Sequence, residues 1–296
     1  MLKSYKLLIV KRHSKYVLIY IFLFLLSLIF LFPFIYLFLQ SFSSYYDPSS
    51  FHPYFAFKQN LELNRPIFTF QNYIDLFTND KFDFLSYFLR SFFLSLGCCI
   101  VETLLVIFTA YAFSRLHFRN RSTLMRILIV ISLLPNLLLM FALYLIFKSF
   151  NITNSIVILA IIYIFGSILQ FYSLKKYYDT FPSHLEDVSK IEGNNNTVIF
   201  RNIVLKHSLN IVLFTLFTSF VAIFSDFMVQ NLIGSNSDYY FITTGLYKLI
   251  STSDGLKENF PLFCAASVLL CIPYMIIFYV LKRRVVDGML KNASKM

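Results

Sequence analysis

Two acidic residues interrupt apolar runs of this sequence, and they are the first candidates for chemistry. Glu102 lies in the run 91–113 and Asp226 lies in the run 209–233. A carboxylate at the centre of a bilayer costs about 2.5–3.5 kcal/mol on insertion scales, so each needs a reason to be there. One interpretation is a substrate or proton pathway, although two acids on separate spans give a proton relay little support. The other is a carboxyl group that faces protein and bonds to Tyr or Ser, or that lies near the wet end of its span.

The sequence contains none of the common patterns of a catalytic or nucleotide site. The patterns HExxH, GxSxG, paired CxxC and GxxxxGK[ST] are all absent. The five histidines are scattered and the four cysteines fall inside apolar runs, without the spacing of metal ligands. We therefore expect no catalytic residue, no cofactor and no metal. If ATP drives this protein, another chain must bind the nucleotide.

Composition places the chain in the membrane. It is 58% hydrophobic and 14% charged, whereas soluble domains carry roughly 25% charged residues. The net charge of +11 is typical of basic cytoplasmic loops, and we expect contact with lipid and none with nucleic acid. The sequence has no Trp, so an interfacial aromatic belt must consist of Tyr and Phe.

Six apolar stretches are long enough to be transmembrane helices. They cover about residues 17–39, 91–113, 127–147, 152–174, 209–233 and 260–281. No small-residue cleavage site precedes Gln40, so the first stretch is predicted to be a retained span. Pro135 lies inside the third and predicts a kink or a locally opened hydrogen-bond ladder. The fold class is therefore an all-α polytopic membrane protein.

The basic residues give the orientation. Six spans place both termini on one side, and that side carries 19 Lys and Arg against 7 on the other. The excess predicts that residues 1–16, the loop 175–208 and the tail 282–296 are cytoplasmic. The loops 41–90 and 234–259 are then external.

The loop 175–208 contains the clearest local helix signals. Ser183 followed by Glu186 forms a capping box, so a helix is predicted to start at Ser183. Leu185, Val188 and Ile191 recur at helical spacing and give this helix one apolar stripe.

A turn and a second helix are predicted to follow in the same loop. Gly193 suits a left-handed turn at the C-terminal end of the first helix. Three asparagines continue the turn, and Thr197 is expected to cap the next helix. Two interpretations remain open for the amphipathic element as a whole. It is a docking site for a soluble partner, or a helix that rests on the bilayer surface.

Residues 187–193, DVSKIEG, resemble the cytoplasmic EAA motif, E-A-A-x-x-x-G, of permease subunits in bacterial binding-protein-dependent ABC importers. Further matches follow the order of the MalG-type subunit of carbohydrate importers. These matches are Asn72-Tyr73 before the second span, AYAFSR at 110–115 followed by Phe118, Pro135 in the third span, FSDF at 224–227 and VDG at 286–288. Together they cover almost the whole chain.

The sequence departs from the family pattern at several positions. Asp187 replaces the usual Glu, and Val188 and Ser189 replace the two alanines. Lys206 and Asn210 lie where the family has prolines, and Phe224 replaces Trp. These changes suggest an ATPase groove that has diverged together with the loop.

The resemblance implies the type I ABC importer permease (MetI-like) fold, with a loop that couples to a cytoplasmic ATPase. The implied partners are ABC ATPase subunits, a second, non-identical permease and an extracytoplasmic solute-binding protein, at the bacterial cell membrane. ATP-driven closure of the ATPases would switch the spans from inward-facing to outward-facing. The implied coupling residues are Leu185, Glu186, Asp187, Val188, Ile191, Glu192 and Gly193.

Roles within this set follow from the capping box. Glu186 is expected to be occupied with its own helix N-terminus, which leaves Asp187 as the freer carboxylate for a cation of the ATPase. Asp226, Glu102 and Pro135 are the candidate translocation or gating residues.

The external loop 234–259 corresponds to a family loop that can reach the binding protein. Asn236, Tyr239 and Tyr240 are the candidate contacts, and a solvated connector is the alternative.

The predicted function is thus the translocation subunit of an ATP-driven sugar importer. The alternative within the family is an sn-glycerol-3-phosphate importer. A stand-alone channel or proton-coupled carrier and an integral-membrane enzyme remain as other classes, but neither has a supporting site in the sequence.

Overall fold

A computed structural model describes residues 2–43, 69–78, 82–150, 156–166, 168–182, 184–234, 241–251 and 253–293. Every regular element within these ranges is helical, which agrees with the all-α prediction. The chain forms two compact units. The first unit comprises residues 1–82 and 248–270, and the second comprises residues 83–247 and 271–296.

The described residues contain thirteen α-helices and one π-helical turn. In chain order they are α1 (Leu2–Gln40), α2 (Gln71–Thr78), α3 (Phe84–Arg115), α4 (Arg121–Ser132), α5 (Asn136–Ser149), α6 (Ile156–Phe165), α7 (Ile168–Thr180), α8 (His184–Ile191), α9 (Asn196–Ile199), a π-helical turn (Phe200–Val204), α10 (Leu205–Phe224), α11 (Met228–Gly234), α12 (Ile242–Ile250) and α13 (Ser253–Ala293).

Five helical stretches in the described residues are long and apolar enough to cross a membrane, and the number is six when a bent pair of helices is counted as one span. The stretches are Ile19–Gln40, Phe84–Arg115, Ile156–Thr180, Asn196–Phe224 and Asn259–Lys282. The bent pair is α4 with α5. Each of the six apolar runs therefore has a helical counterpart, although the helix bounds differ from those of the runs.

The break at Pro135 is larger than the expected kink. The axes of α4 and α5 differ by 100°, and Pro135 has an extended conformation, φ −55° and ψ 133°. A proline has no N–H to donate and disfavours helical backbone at the residue before it, so the chain leaves the helix here. The carbonyl of Pro135 then accepts from the amide of Leu138 at 2.9 Å, and α5 starts in a new direction.

In the first unit, the end of α1 is joined to α2. Asn72 on α2 donates from Nδ2 to the carbonyls of Ser41 and Ser43 at 2.8 and 2.7 Å. The hydroxyl groups of Tyr73 and Ser41 lie 2.8 Å apart, and the Phe42 ring packs against Tyr73. The Asn72-Tyr73 pair thus fixes α2 against the residues that directly follow α1.

The second unit is built around α3, which packs along both α7 and α10. Its core includes Ala110 and Tyr111 of α3, Leu174 and Tyr178 of α7, and Val204. Burial of apolar surface gains little within lipid, so this packing is stabilised mainly by close van der Waals contact. This packing places the loop that contains α8 at the C-terminal end of α3, next to Arg115.

Candidate functional site

Helix α8 confirms the amphipathic element predicted in the loop 175–208. It runs from His184 to Ile191, while the predicted cap, Ser183, lies outside the described residues. Gly193 has φ +84°. Its amide donates to Lys190 O at 3.0 Å, and the amide of Asn194 donates to Ser189 O at 3.1 Å. These two bonds are the pair that defines a Schellman ending, so the turn predicted at Gly193 is confirmed.

The second helix of the loop starts differently from the prediction. The side chain of Asn195 accepts from the amide of Val198 at 3.0 Å and caps α9. Thr197, the expected cap, lies inside that helix. The prediction placed the cap two residues too late because Asn and Thr are both good N-caps and spacing alone did not separate them.

The apolar stripe of α8 points away from the rest of the chain. Leu185, Val188 and Ile191 are 37%, 54% and 87% exposed, whereas Glu186 and Ser189 are 4% and 6% exposed. A surface helix of a globular protein ordinarily turns its apolar side inward. Here the polar side of α8 is held by the chain, and the apolar side is left open for another surface.

Glu186 has a partner on another helix, which the sequence analysis did not indicate; its predicted bond to the helix start involves Ser183, outside the described residues. Its Oε1 accepts from Nε of Arg115 at 2.7 Å, and the same guanidinium donates from Nη2 to the carbonyl of Phe181 at 2.7 Å. Charge-assisted bonds to a guanidinium are stronger than a bond to a neutral backbone amide. Arg115 is the last residue of α3, so this ion pair ties α8 directly to the long helix.

Asp187 is the accessible carboxylate of α8. Its side chain is 61% exposed and lies 3.3 Å from Nζ of Lys190, which is 54% exposed. An exposed pair at this helical spacing contributes only about 0.3–0.5 kcal/mol. Asp187 can therefore exchange Lys190 for a cation on another protein at little cost. Glu192 is also exposed and lies 3.5 Å from Nδ2 of Asn194.

A second polar link joins the ends of α3 and α7. Asp179 accepts from the hydroxyl of Ser114 at 2.7 Å and from Nζ of Lys175 at 2.6 Å. Together with Arg115 and Glu186, these contacts hold three helix ends in a fixed arrangement.

Glu102 and Asp226 are both bonded within the chain, as the second interpretation of the intramembrane acids predicted. Glu102 is 2% exposed and accepts from the hydroxyl of Ser219 on α10 at 3.0 Å. Oδ2 of Asp226 accepts from the hydroxyl of Tyr163 at 2.7 Å and from the amide of Val229 at 3.1 Å. Asp226 lies in the break between α10 and α11, because the helix ends at Phe224 rather than continuing to residue 233.

The structure also brings the two acids to one cavity, which sequence spacing did not indicate. Glu102, Asp226, Tyr163, Gln170 and Ser219 contribute polar groups to a cavity of about 170 Å³. Its apolar wall includes Leu137 and Met140, on the first turns of α5 after the break at Pro135. Irregular backbone at membrane depth is tolerated where it lines such a cavity.

Gln170 and Tyr163 were not among the predicted site residues. The signal in the sequence was Gln170 itself, an uncharged polar residue within the run 152–174. Tyr163 gave no signal, because tyrosines are frequent throughout this chain. The predicted binding-protein contacts Asn236, Tyr239 and Tyr240 lie outside the described residues.

The fold and these short motifs can be compared with known proteins. A family model described as the binding-protein-dependent transport system inner membrane component matches residues 102–287, a range that contains α8, Gly193 and both intramembrane acids. The chain belongs to this family.

Relatives of this permease come from sugar transport systems. It is 28% identical over 229 residues to the galactooligosaccharides transport system permease protein GanQ of Bacillus subtilis, covering 77% of this chain and 80% of that protein. It is 28% identical over 194 residues to the maltose/maltodextrin permease MalG of Photorhabdus laumondii, covering 63% and 64%.

A solved structure supports the fold. The permease superposes with a TM-score of 0.70 on a chain of a bacterial ABC transporter involved in the import of the acidic polysaccharide alginate. The match covers 90% of this chain and 95% of that one, at 15% sequence identity. The all-helical ABC importer permease fold is therefore shown.

Proposed function

We propose that this permease is the translocation subunit of an ATP-driven sugar importer, and that α8 docks into a groove of a cytoplasmic ATPase subunit. The observation that carries the proposal is the open apolar stripe of Leu185, Val188 and Ile191 on a helix whose polar side is bound to the chain. The stripe supplies apolar area to a partner, and Asp187 beside it supplies an exchangeable carboxylate.

Three further parts complete the proposal. The chain has no nucleotide-binding pattern, so ATP is hydrolysed by the docked partner, and this permease is not itself an enzyme. A second, non-identical permease completes the pathway, and an external binding protein delivers the solute. Both termini and the loop that contains α8 are cytoplasmic, which follows from the 19 to 7 distribution of Lys and Arg.

Sugar is favoured as the solute over glycerol phosphate. The cavity beside α10 presents two carboxylates together with the hydroxyl groups of Tyr163 and Ser219 and the amide of Gln170. These groups can bond to the hydroxyl groups of a neutral sugar, whereas carboxylates repel a phosphate. The two relatives named above belong, by their descriptions, to galactooligosaccharide and maltose/maltodextrin transport systems, which points the same way.

The docking of α8 is tested by charging its apolar stripe. Ile191→Asp should reduce the ATPase that co-purifies with the tagged permease by about tenfold or more, since a buried Ile contributes about 1.5–3 kcal/mol. Asn196→Asp is the matched control. It adds the same charge at an exposed position in the first turn of α9, where an acid is tolerated. Retention of the ATPase by Ile191→Asp, with normal membrane insertion, would instead favour a helix that rests on the bilayer.

A further inference from the structure

The cavity that contains Glu102 and Asp226 is built from one side of each helix that contributes to it. Ser219, Ala222 and Ile223 are three or four residues apart along α10. Leu137 and Met140 are three residues apart on α5. Residues at this spacing lie on the same side of a helix. Ala222 is exposed, so the cavity is open to small molecules.

The polar groups of the cavity fall into two sets. Glu102 accepts from the hydroxyl of Ser219 at 3.0 Å, and the hydroxyl of Tyr163 donates to Oδ2 of Asp226 at 2.7 Å. The backbone bonds to Asp226 from residues 229 and 230 also reach Oδ2. These groups therefore already have partners within the chain.

Two polar groups at the cavity remain open. Within the part of the chain that the structure describes, neither the side-chain amide of Gln170 nor Oδ1 of Asp226 makes a hydrogen bond. Both residues line the cavity and both are only partly exposed. A polar group in such surroundings costs free energy unless water or a ligand pairs with it. The two open groups thus favour a ligand that can hydrogen-bond to both.

The size and the apolar wall of the cavity limit what that ligand is. The volume is about 170 Å³, below the roughly 300–1,000 Å³ of ordinary small-molecule pockets. Leu137 and Met140 add an apolar wall, and none of the lining residues is Lys or Arg. A single sugar ring has both a face of C–H groups and an edge of hydroxyl groups, so it matches this combination. A bare inorganic ion has no use for the apolar wall.

We propose that this cavity binds one neutral pyranose ring of the solute. Gln170 and Oδ1 of Asp226 bond to its hydroxyl groups, and Leu137 and Met140 contact its C–H face. The side-chain amide of Gln170 both donates and accepts, as each sugar hydroxyl does. The other rings of an oligosaccharide then lie outside this cavity. The inference rests on the proposed function for the class of solute, and it adds the number of rings and the residues that determine specificity.

The test measures protection of a cysteine placed in the cavity wall. Ala222→Cys is made together with Cys271→Ser, because Cys271 is exposed while the other three cysteines are buried. The full chain with its partner subunits is labelled with N-ethylmaleimide in the presence of methyl α-glucopyranoside or methyl β-galactopyranoside. Ordinary ligand efficiencies give a dissociation constant of about 1 mM for one sugar ring. At about 20 mM, at least one glycoside should therefore slow the labelling by about twentyfold.

Two substitutions in the same background test the open groups. Gln170→Leu keeps the size of the side chain but removes one hydrogen bond, so the glycoside concentration for half protection should rise by about three- to tenfold. Asp226→Asn keeps an oxygen for Tyr163 but removes the charged Oδ1, so the rise should be about tenfold or more. Because Gln170 has no hydrogen-bond partner among the described residues, Gln170→Leu should not lower the thermal unfolding midpoint. A merely structural role would lower it.

Thr218→Val is the matched control. It removes a hydroxyl from α10 beside Ser219 but outside the cavity lining, and that hydroxyl bonds only to carbonyls of its own helix. Half protection should stay within about twofold of the background chain, well inside the effect of a lost hydrogen bond to the ligand. An equal change in Thr218→Val and Gln170→Leu would overturn the role given to Gln170.

The remaining outcomes separate this inference from the proposed function. Equal protection by sorbitol, an open-chain polyol, would show that the cavity does not select a ring. Protection by ethanolamine in place of the glycosides would identify a cation as the occupant. Absence of protection by both glycosides, with oligosaccharide uptake intact in proteoliposomes, would overturn the cavity site and leave the sugar importer standing. Protection without any oligosaccharide uptake would retain the ring site and overturn the transport function.

Discussion

Arg115 joins three parts of the permease through one guanidinium. It ends α3, pairs with Glu186 of α8 at 2.7 Å, and donates to the carbonyl of Phe181 at 2.7 Å. The side chains of Arg115 and Glu186 are only 17% and 5% exposed. Removing one member of so buried a pair leaves the other charge without compensation, at a cost of about 3–5 kcal/mol.

A charge exchange tests this contact at the residue scale. Glu186→Arg should lower the thermal unfolding midpoint and abolish the ATPase stimulation that the binding protein produces, because two cations then face each other. The double variant Arg115→Glu with Glu186→Arg should regain part of both quantities. Asp187→Arg is the control, since its exposed side chain has no such anchor and its unfolding midpoint should stay unchanged. An equal midpoint in all variants would show that the ion pair does not hold α8.

At the scale of elements, α8 is a helix whose two ends and polar side are fixed while its apolar side is free. The ion pair to α3 holds its start, and the left-handed Gly193 sends the chain back toward α9. A Cβ atom at Gly193 would meet nothing within 4 Å. Only backbone strain then opposes a substitution at this position.

Substitutions at Gly193 should therefore follow backbone preference rather than side-chain size. Asn tolerates the left-handed region, Ala adopts it at a cost of about 1 kcal/mol, and Pro cannot reach a positive φ. Pro also removes the bond from the Gly193 amide to Lys190. We expect transport-coupled ATPase activity to fall in the order Gly, Asn, Ala, Pro, with membrane insertion retained in all four. Full activity of Gly193→Pro would contradict the role of this turn in coupling.

The sequence predicted helices and turns that depend on neighbouring residues. It did not indicate contacts between residues that are far apart in the chain. Spacing found the stripe of α8 and the turn at Gly193, since both follow from local helix rules. It did not reveal the bond between Glu186 and Arg115, because the two residues are 71 positions apart in sequence. Glu102 and Asp226 are also far apart in the sequence, so their spacing did not indicate that they line one cavity. Pro135 marked a break correctly, but the 100° bend depends on how α5 packs.

At the scale of the whole molecule, the polar cavity and α8 are both in contact with the long helix α3. Glu102 belongs to α3, and Arg115 ends it. The cavity is also lined by residues of α5, α6, α7 and α10 and by Asp226 in the break after α10. Under the proposed function, solute selection involves the middle of α3, and ATPase attachment involves its C-terminal end.

The charge of the cavity predicts solute selection by the assembled transporter. In proteoliposomes that contain both permeases, the ATPases and the binding protein, neutral oligosaccharides should be taken up and glycerol 3-phosphate should not. Glu102→Gln keeps an acceptor for Ser219 but removes the charge, so neutral sugar uptake should persist. Uptake of glycerol 3-phosphate by the unchanged assembly would contradict the proposed solute class.

Helix α3 has 32 residues and, at about 1.5 Å per residue, is about 48 Å long. Glu102 and Arg115 are separated along it by about 20 Å at the same rise. The part of α3 between these two residues contains neither proline nor glycine, which are the common causes of a helix kink. Under the proposed function, this part of α3 moves as a rigid body. A displacement of Arg115 is then transmitted to Glu102 without loss of amplitude. The points at which helices are interrupted are then Pro135, two residues before the cavity-lining Leu137, and Asp226, which itself lines the cavity.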